Sequence, residues 1–180
     1  MKVEFFRHSI TREDREKAAQ VFSSLFLTTG EVVREFEEGF AAYFGFGTAV
    51  GLTSCTAALQ LALEALGVGE GDEVITTPLT YVATANAIIQ ARAVPRFVDD
   101  EAENGNMNAG LIEAAITEKT RAIMPVHLYG QMCDMKEIQR IAARRHLAVI
   151  EDAAHAIEAA RDGVRPGMLS DAACFSFYAT

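Results

Sequence analysis

The chain has 180 residues, half of them apolar and 23% charged, with a formal net charge of −9. This length suits one domain with a buried core. The acidic balance argues against broad binding to nucleic acid or anionic membranes, which takes clustered Lys and Arg. There is no run of eighteen apolar residues, Lys2 is followed by Glu4 and Arg7, and Cys55, Cys133 and Cys174 are scattered without a CxxC pair. A cytoplasmic globular protein with reduced thiols, no leader and no membrane span is expected.

In chain order, ITREDREKAAQVFSSLF reads as an amphipathic helix opened by Thr11, with Asp14 completing a capping box. After the break at Thr28-Thr29-Gly30, EVVREFEEGFAAYF predicts a second helix. From there the short apolar runs TAVGL, DEVITT, VPRFVD, TRAIMPV, LAVIED and AACFSF read as strands. Between them, TAALQLALEAL, YVATANAIIQA, NAGLIEAAI and MKEIQRIAARR read as helices. This alternation predicts βαβ units in an α/β fold, with a mostly parallel sheet covered by helices on both faces. A helical N-terminal arm over 1–30 and a layered domain over 31–180 are expected. In the last stretch, DAACFSFYAT, alternation puts Ala173, Phe175 and Phe177 on one face and Cys174, Ser176 and Tyr178 on the other.

Ligands of open α/β sheets bind beyond the carboxyl ends of the strands. Those positions hold Ser54-Cys55-Thr56, Thr77 to Tyr81, Asp99-Asp100, His127, Asp152 with His155, and Ser176. Asp99-Asp100 and the loop EAENGN read as an ordinary polar turn. As a calcium loop counted from Asp100, position three is Ala102 and position twelve is Leu111, so two ligands are lost. GFGTAVG has the wrong spacing for a dinucleotide fingerprint and precedes its strand, and no GxxxxGK[ST] occurs. Ser54, Cys55 and Thr56 open a helix, where free N–H groups attract phosphate and where Ser or Thr also serves as an ordinary cap. In VIEDAAHA, Glu151 and Asp152 end a buried strand, so each carboxylate needs a partner. For Asp152 that partner is a cationic ring nitrogen, a metal shared with His155 and His127, or the cap of a following helix. The spacing demands no metal, and none is expected.

Taken in order, FFRHSI, LTTGEVVREFEEGFAAYFG, SCTAAL, TPLTYVATANAI, VHLYGQMCDM, VIEDAAHAIEA and CFSFYAT resemble the sugar-nucleotide aminotransferases of the DegT/StrS type, a branch of the fold-type I pyridoxal-phosphate enzymes. The resemblance covers essentially the whole chain. It implies a pyridoxal-phosphate-dependent transferase-like large domain, cut before a smaller C-terminal domain. Asp152 would pair with the pyridine nitrogen of pyridoxal 5'-phosphate, and Tyr81 would stack on its ring. Ser54, Cys55, Thr56 and Ser176 would hold its phosphate. His155, where relatives carry Gln or His, would bond the ring hydroxyl. Cys55 departs from the commoner Gly, a change that a backbone-amide contact survives. Thr29 in LTTG lies where relatives approach substrate, while His8 replaces a common Pro and supports no inference.

In this family the last strand continues SF-x-x-x-K, which places the Schiff-base lysine immediately after Thr180. Either a fragment or a break at a modified lysine accounts for that. The activity implied is transfer of an amino group from an amino acid, glutamate, to a nucleotide-linked keto sugar. Homodimers with shared active sites are implied too, so residues 1–180 alone are expected to be inactive and prone to aggregate. The alternatives are a pyridoxamine-phosphate-dependent sugar dehydratase, with histidine for the lysine, and a non-catalytic cofactor-binding regulator.

Overall fold

The computed structural model describes residues 8–25, 27 and 30–178. The chain forms two compact units, Met1–Gly51 with Phe177–Thr180, and Leu52–Ser176.

In the first unit, α1 (Arg12–Phe22) opens on the expected capping box. The Thr11 hydroxyl accepts the Asp14 N–H at 3.2 Å, and the Asp14 carboxylate accepts the Thr11 N–H at 2.7 Å. These bonds hold the Asp14 carboxyl below the usual aspartate range. α2 (Glu31–Phe44) ends at Gly45, whose φ of +78° is open to a residue without Cβ. Phe36, Phe40 and Phe44 recur every fourth residue and so form one aromatic stripe, with successive ring centroids 5.8 and 5.0 Å apart. Phe177 meets Phe36 and Phe40 edge-on at 5.2 and 5.4 Å. The strand expected at TAVGL does not form. Within it, the Gly51 N–H is taken by the Glu37 carboxylate at 2.7 Å, where a strand would offer it to a neighbouring ladder.

The second unit is the α/β layer. α3 (Cys55–Ala65) leads through a turn into β1 (Glu73–Thr76), followed by α4 (Ala83–Gln90), β2 (Val94–Phe97), α5 (Ala109–Ala115), β3 (Thr120–Ile123), α6 (Met135–Arg145), β4 (Ala148–Asp152) and β5 (Ala172–Cys174). The five strands are parallel, in the order β2-β1-β3-β4-β5. Strand alternation sorts the core into two layers. Val74, Ala122, Met124, Ile150 and Cys174 face Leu59 and Leu63 of α3 and Ala87 and Ile88 of α4. Ile75, Ile123 and Val149 face Ile112 of α5 and Ile138 and Ile141 of α6. α3 runs back toward the start of β1, so its N-terminus lies at the carboxyl edge of the sheet. It packs on α4, β4 and β5.

Two further expectations change. β5 stops at Cys174, and neither Ser176 nor Tyr178 continues it; Tyr178 takes a φ of +49°, which a strand cannot accommodate. No helix follows Asp152 either. Residues 153–160 form turns, including Ala156 N–H to Ala153 O. Among the described residues no helix is long and apolar enough to cross a membrane.

The thiols are shielded. Burial, chiefly, pushes Cys133 and Cys174 up to about 12, the latter helped by the Asp152 and Glu151 charges. Cys55 is raised as well, by burial, then by Asp152 and Cys174. The thiolate is the reactive form and an ordinary thiol titrates near ~8.5. At pH 8 the folded protein should therefore react with an aromatic disulfide reagent at least about tenfold more slowly than the urea-unfolded chain, as read by thiolate release; equal rates would mean that the thiols are open. Ile150 is fully buried on β4, which lies between β3 and β5, and Ile150→Ala should cost about 2–5 kcal/mol in urea unfolding. A loss under about 1 kcal/mol would show that the α3/α4 layer is not packed around it.

Candidate active site

Adjacent in sequence, Glu151 and Asp152 point to opposite faces of the sheet, and their surroundings differ accordingly. Glu151 is fully buried on the α5/α6 side. Its carboxylate accepts from His127 Nε2 at 2.5 Å, Ser170 Oγ at 2.5 Å and the Gly167 N–H at 2.8 Å. The other ring nitrogen of His127, Nδ1, accepts the Cys133 N–H at 3.2 Å, which leaves the ring hydrogen on Nε2. His127 is thus committed to Glu151 and does not join Asp152 and His155 around a metal. Among the described residues no three His, Cys, Asp or Glu side chains gather as metal ligands.

Asp152 lies on the α3/α4 side with 6% of its surface exposed. Its backbone is held from both flanks. Its N–H bonds Pro125 O at 2.9 Å, and its O accepts the His127 N–H at 3.0 Å. On the other flank Asp152 pairs with Cys174 of β5, whose O accepts the Ala153 N–H at 2.9 Å. The carboxylate takes the Thr84 hydroxyl at 2.7 Å on Oδ2 and the Ala154 N–H at 3.2 Å on Oδ1. The expected helix cap is therefore an Asx turn. Among the described residues no Lys, Arg or His forms an ion pair with Asp152. A nearly buried carboxylate with unused lone pairs and no paired cation among the described residues suits a ligand that brings a positively charged N–H.

The α3 N-terminus is near by. The Asp152 charge contributes to the raised Cys55 thiol, and Cys55 is the first residue of that helix. Ser54 caps the helix, its hydroxyl oxygen accepting the Ala57 N–H at 3.1 Å, and the first intrahelical bond is made by the Ala58 N–H to Ser54 O. The amides of Cys55 and Thr56 precede that bond, so they form the anion-attracting end of the helix. The segment before it forms no strand, where one was expected.

Tyr81 stands at the entrance to α4, 76% exposed, its carbonyl accepting the Thr84 N–H at 3.2 Å. The loop before it is shaped by Thr77, which bonds the Asp100 carboxylate and accepts the Leu79 N–H at 3.1 Å. His155 is exposed in the turn after Asp152 and stacks parallel to Tyr129, with centroids 5.9 Å apart and planes 3° apart. Tyr129 is 81% exposed with a φ of +51°, a conformation unusual for a bulky side chain. Ser176 is half-buried, two residues beyond the Cys174 that pairs with Asp152. Thr29 lies outside the described residues. Sequence reasoning missed Thr84, a polar residue on the core face of α4 beside Ala87 and Ile88. A hydroxyl placed at helical spacing among apolar core positions was the signal.

Comparison with known proteins gives the family and the fold of the chain. GDP-perosamine synthase of Caulobacter vibrioides is 48% identical over 151 residues, which are 84% of this chain and 41% of that protein. A Streptococcus pneumoniae protein assigned as a sugar aminotransferase, solved in its PLP form, superimposes with a TM-score of 0.94 at 32% identity, over 99% of this chain and 50% of that one. DesI, solved in the presence of its TDP-sugar product, gives 0.85 at 37% identity, over 92% and 42%. The chain spans about half the length of the relatives it matches, or somewhat less. The family model for DegT/DnrJ/EryC1/StrS aminotransferases matches residues 8–180, and the chain belongs to that family.

Proposed function

We propose that the full-length protein is a cytoplasmic, homodimeric aminotransferase that uses pyridoxal 5'-phosphate to move an amino group from glutamate to a nucleotide-linked keto sugar. The observation that carries this reading is the Asp152 carboxylate, almost buried and without a cation among the described residues. Relatives that make GDP-perosamine or were solved with a TDP-sugar product support the substrate class, and a similar structure in its PLP form supports the cofactor.

The residues present fit the group. Pyridoxal phosphate, when bound, supplies an electron-withdrawing ring that takes up the electron pair left by a broken C–H bond beside the amino nitrogen. Asp152 would hold a proton at the ring nitrogen, because separating that proton would leave a bare charge in a dry place. The Cys55 and Thr56 amides would receive the phosphate at the positive end of α3. Ser54 uses its oxygen lone pair for the cap, so its O–H remains a donor for the same anion, with the Ser176 hydroxyl beside it in this reading. Tyr81 would cover one ring face, and His155, steadied by Tyr129, would bond the ring hydroxyl.

The test uses the purified full-length protein. A visible absorption band that borohydride fixes covalently to a lysine, and that glutamate bleaches, is expected. A bound cofactor that borohydride does not fix would favour the dehydratase reading. A fixed cofactor that no amino acid alters would favour the regulator, and no cofactor at all would end the proposal. Asp152→Asn should keep the cofactor but slow bleaching by glutamate about 10²–10³-fold, the scale of losing one preorganised charge in an active site; a near-normal rate would remove Asp152 from that role. Tyr81→Ala should weaken cofactor binding about threefold to tenfold in equilibrium dialysis. Unchanged affinity would show that the ring does not stack there.

A further inference from the structure

We infer that Thr84 is a positioning residue that fixes the Asp152 carboxylate for the cofactor's ring nitrogen. The inference rests on the cofactor reading above, and it concerns a residue that does not itself touch the cofactor. Thr84 is fully buried, 68 positions before Asp152 in sequence. Its Oγ1 has three neighbours: Asp152 Oδ2 at 2.7 Å, Thr80 Oγ1 at 2.8 Å and Tyr81 O at 3.2 Å.

A hydroxyl has one hydrogen to give, so the three contacts compete. A Thr within a helix ordinarily bonds back to the carbonyl three or four residues earlier, here Tyr81 O. The carboxylate is half an ångström closer and charged, and charge-assisted bonds are roughly twice as strong as neutral ones. The hydrogen therefore goes to Asp152. Thr80 must then donate to Thr84, which sets the direction of the chain from Thr80 through Thr84 to Asp152.

Two donors from two different elements, Thr84 of α4 and the Ala154 amide of the turn after β4, fix the plane of the carboxylate. Rotation about its last torsion is otherwise soft. With Oδ1 and Oδ2 each engaged once, the remaining lone pairs point in defined directions. A buried helix position with apolar neighbours would pack as well with Val, so core packing alone does not explain the hydroxyl.

The test compares the full-length wild type, Thr84→Val and Thr84→Ser by equilibrium dialysis with two probes. One is pyridoxal phosphate; the other is its deaza analogue, in which C–H replaces the ring nitrogen. Thr84→Val should bind pyridoxal phosphate about tenfold more weakly, the loss of one hydrogen bond to a charged group. It should bind the analogue within about twofold of wild type, and Thr84→Ser should restore most of the loss. Thr80→Ala, which removes the hydroxyl that orients Thr84, should shift the same ratio by about threefold and serves where valine at 84 disturbs folding. Equal weakening for both probes, or none for either, would overturn the inference while leaving the cofactor reading intact. A wild type that bound neither probe would overturn both.

Discussion

The site depends on a carboxylate placed where little water reaches it. Asp152 ends β4 and is flanked on both sides by parallel neighbours, with Pro125 and His127 on one side and Cys174 on the other. Its main chain cannot shift without breaking ladder bonds in the middle of the sheet. What remains free is the side chain, and only two donors restrain that. Taking a carboxylate out of water costs several kcal/mol, and a hydrogen bond to a charged group returns about 1.5–3 kcal/mol. Two such bonds roughly balance the cost and leave no surplus, so a charged donor brought by a ligand would add net stabilisation.

Glu151 shows the contrast. It is one residue away and more deeply buried, yet it receives three donors, from His127, Gly167 and Ser170. By the same magnitudes its bonds more than cover its desolvation, so it is a finished structural pair that ties the segment after β3 to the segment before β5. The pleat makes this division of labour possible. Adjacent side chains of a strand face opposite layers, so two consecutive carboxylates meet two unrelated sets of donors. A one-residue slip in β4 would exchange them and lose both arrangements.

Much of this was legible in the sequence. The alternating apolar runs gave the parallel sheet and its flanking helices, because β1, β3 and β4 are largely buried and read as short continuous runs. TAVGL failed because an apolar run is necessary for a strand but a neighbouring ladder is also needed, and the Gly51 amide went to Glu37 instead. The strand-end rule located Asp152 at the carboxyl edge, whereas Ser54 and Cys55 were assigned there from TAVGL, a strand that does not form, and belong to the start of α3. Thr84 was invisible to that rule. Its role depends on a contact across 68 residues that α4 makes only when packed against β4. The opposite facing of Glu151 and Asp152 followed from alternation, but which of them would be saturated with donors followed from the loop at Gly167–Ser170, whose path no local pattern encodes.

The same geometry constrains what kind of ligand can bind. Asp152 and the first turn of α3 are close enough for the carboxylate charge to reach the Cys55 thiol. A phosphate drawn to that helix end would add close to two negative charges near an existing one, and in a poorly solvated site such repulsion is screened far less than in water. A lone cation would satisfy Asp152 but leave the amides of Cys55 and Thr56 facing it with the wrong sign. A ligand carrying both signs on one rigid frame meets neither difficulty, because its cationic end neutralises the carboxylate while its anionic end meets the helix. The pairing of a buried carboxylate with a helix N-terminus therefore selects for separated opposite charges, and a phosphorylated, ring-protonated pyridine has that character.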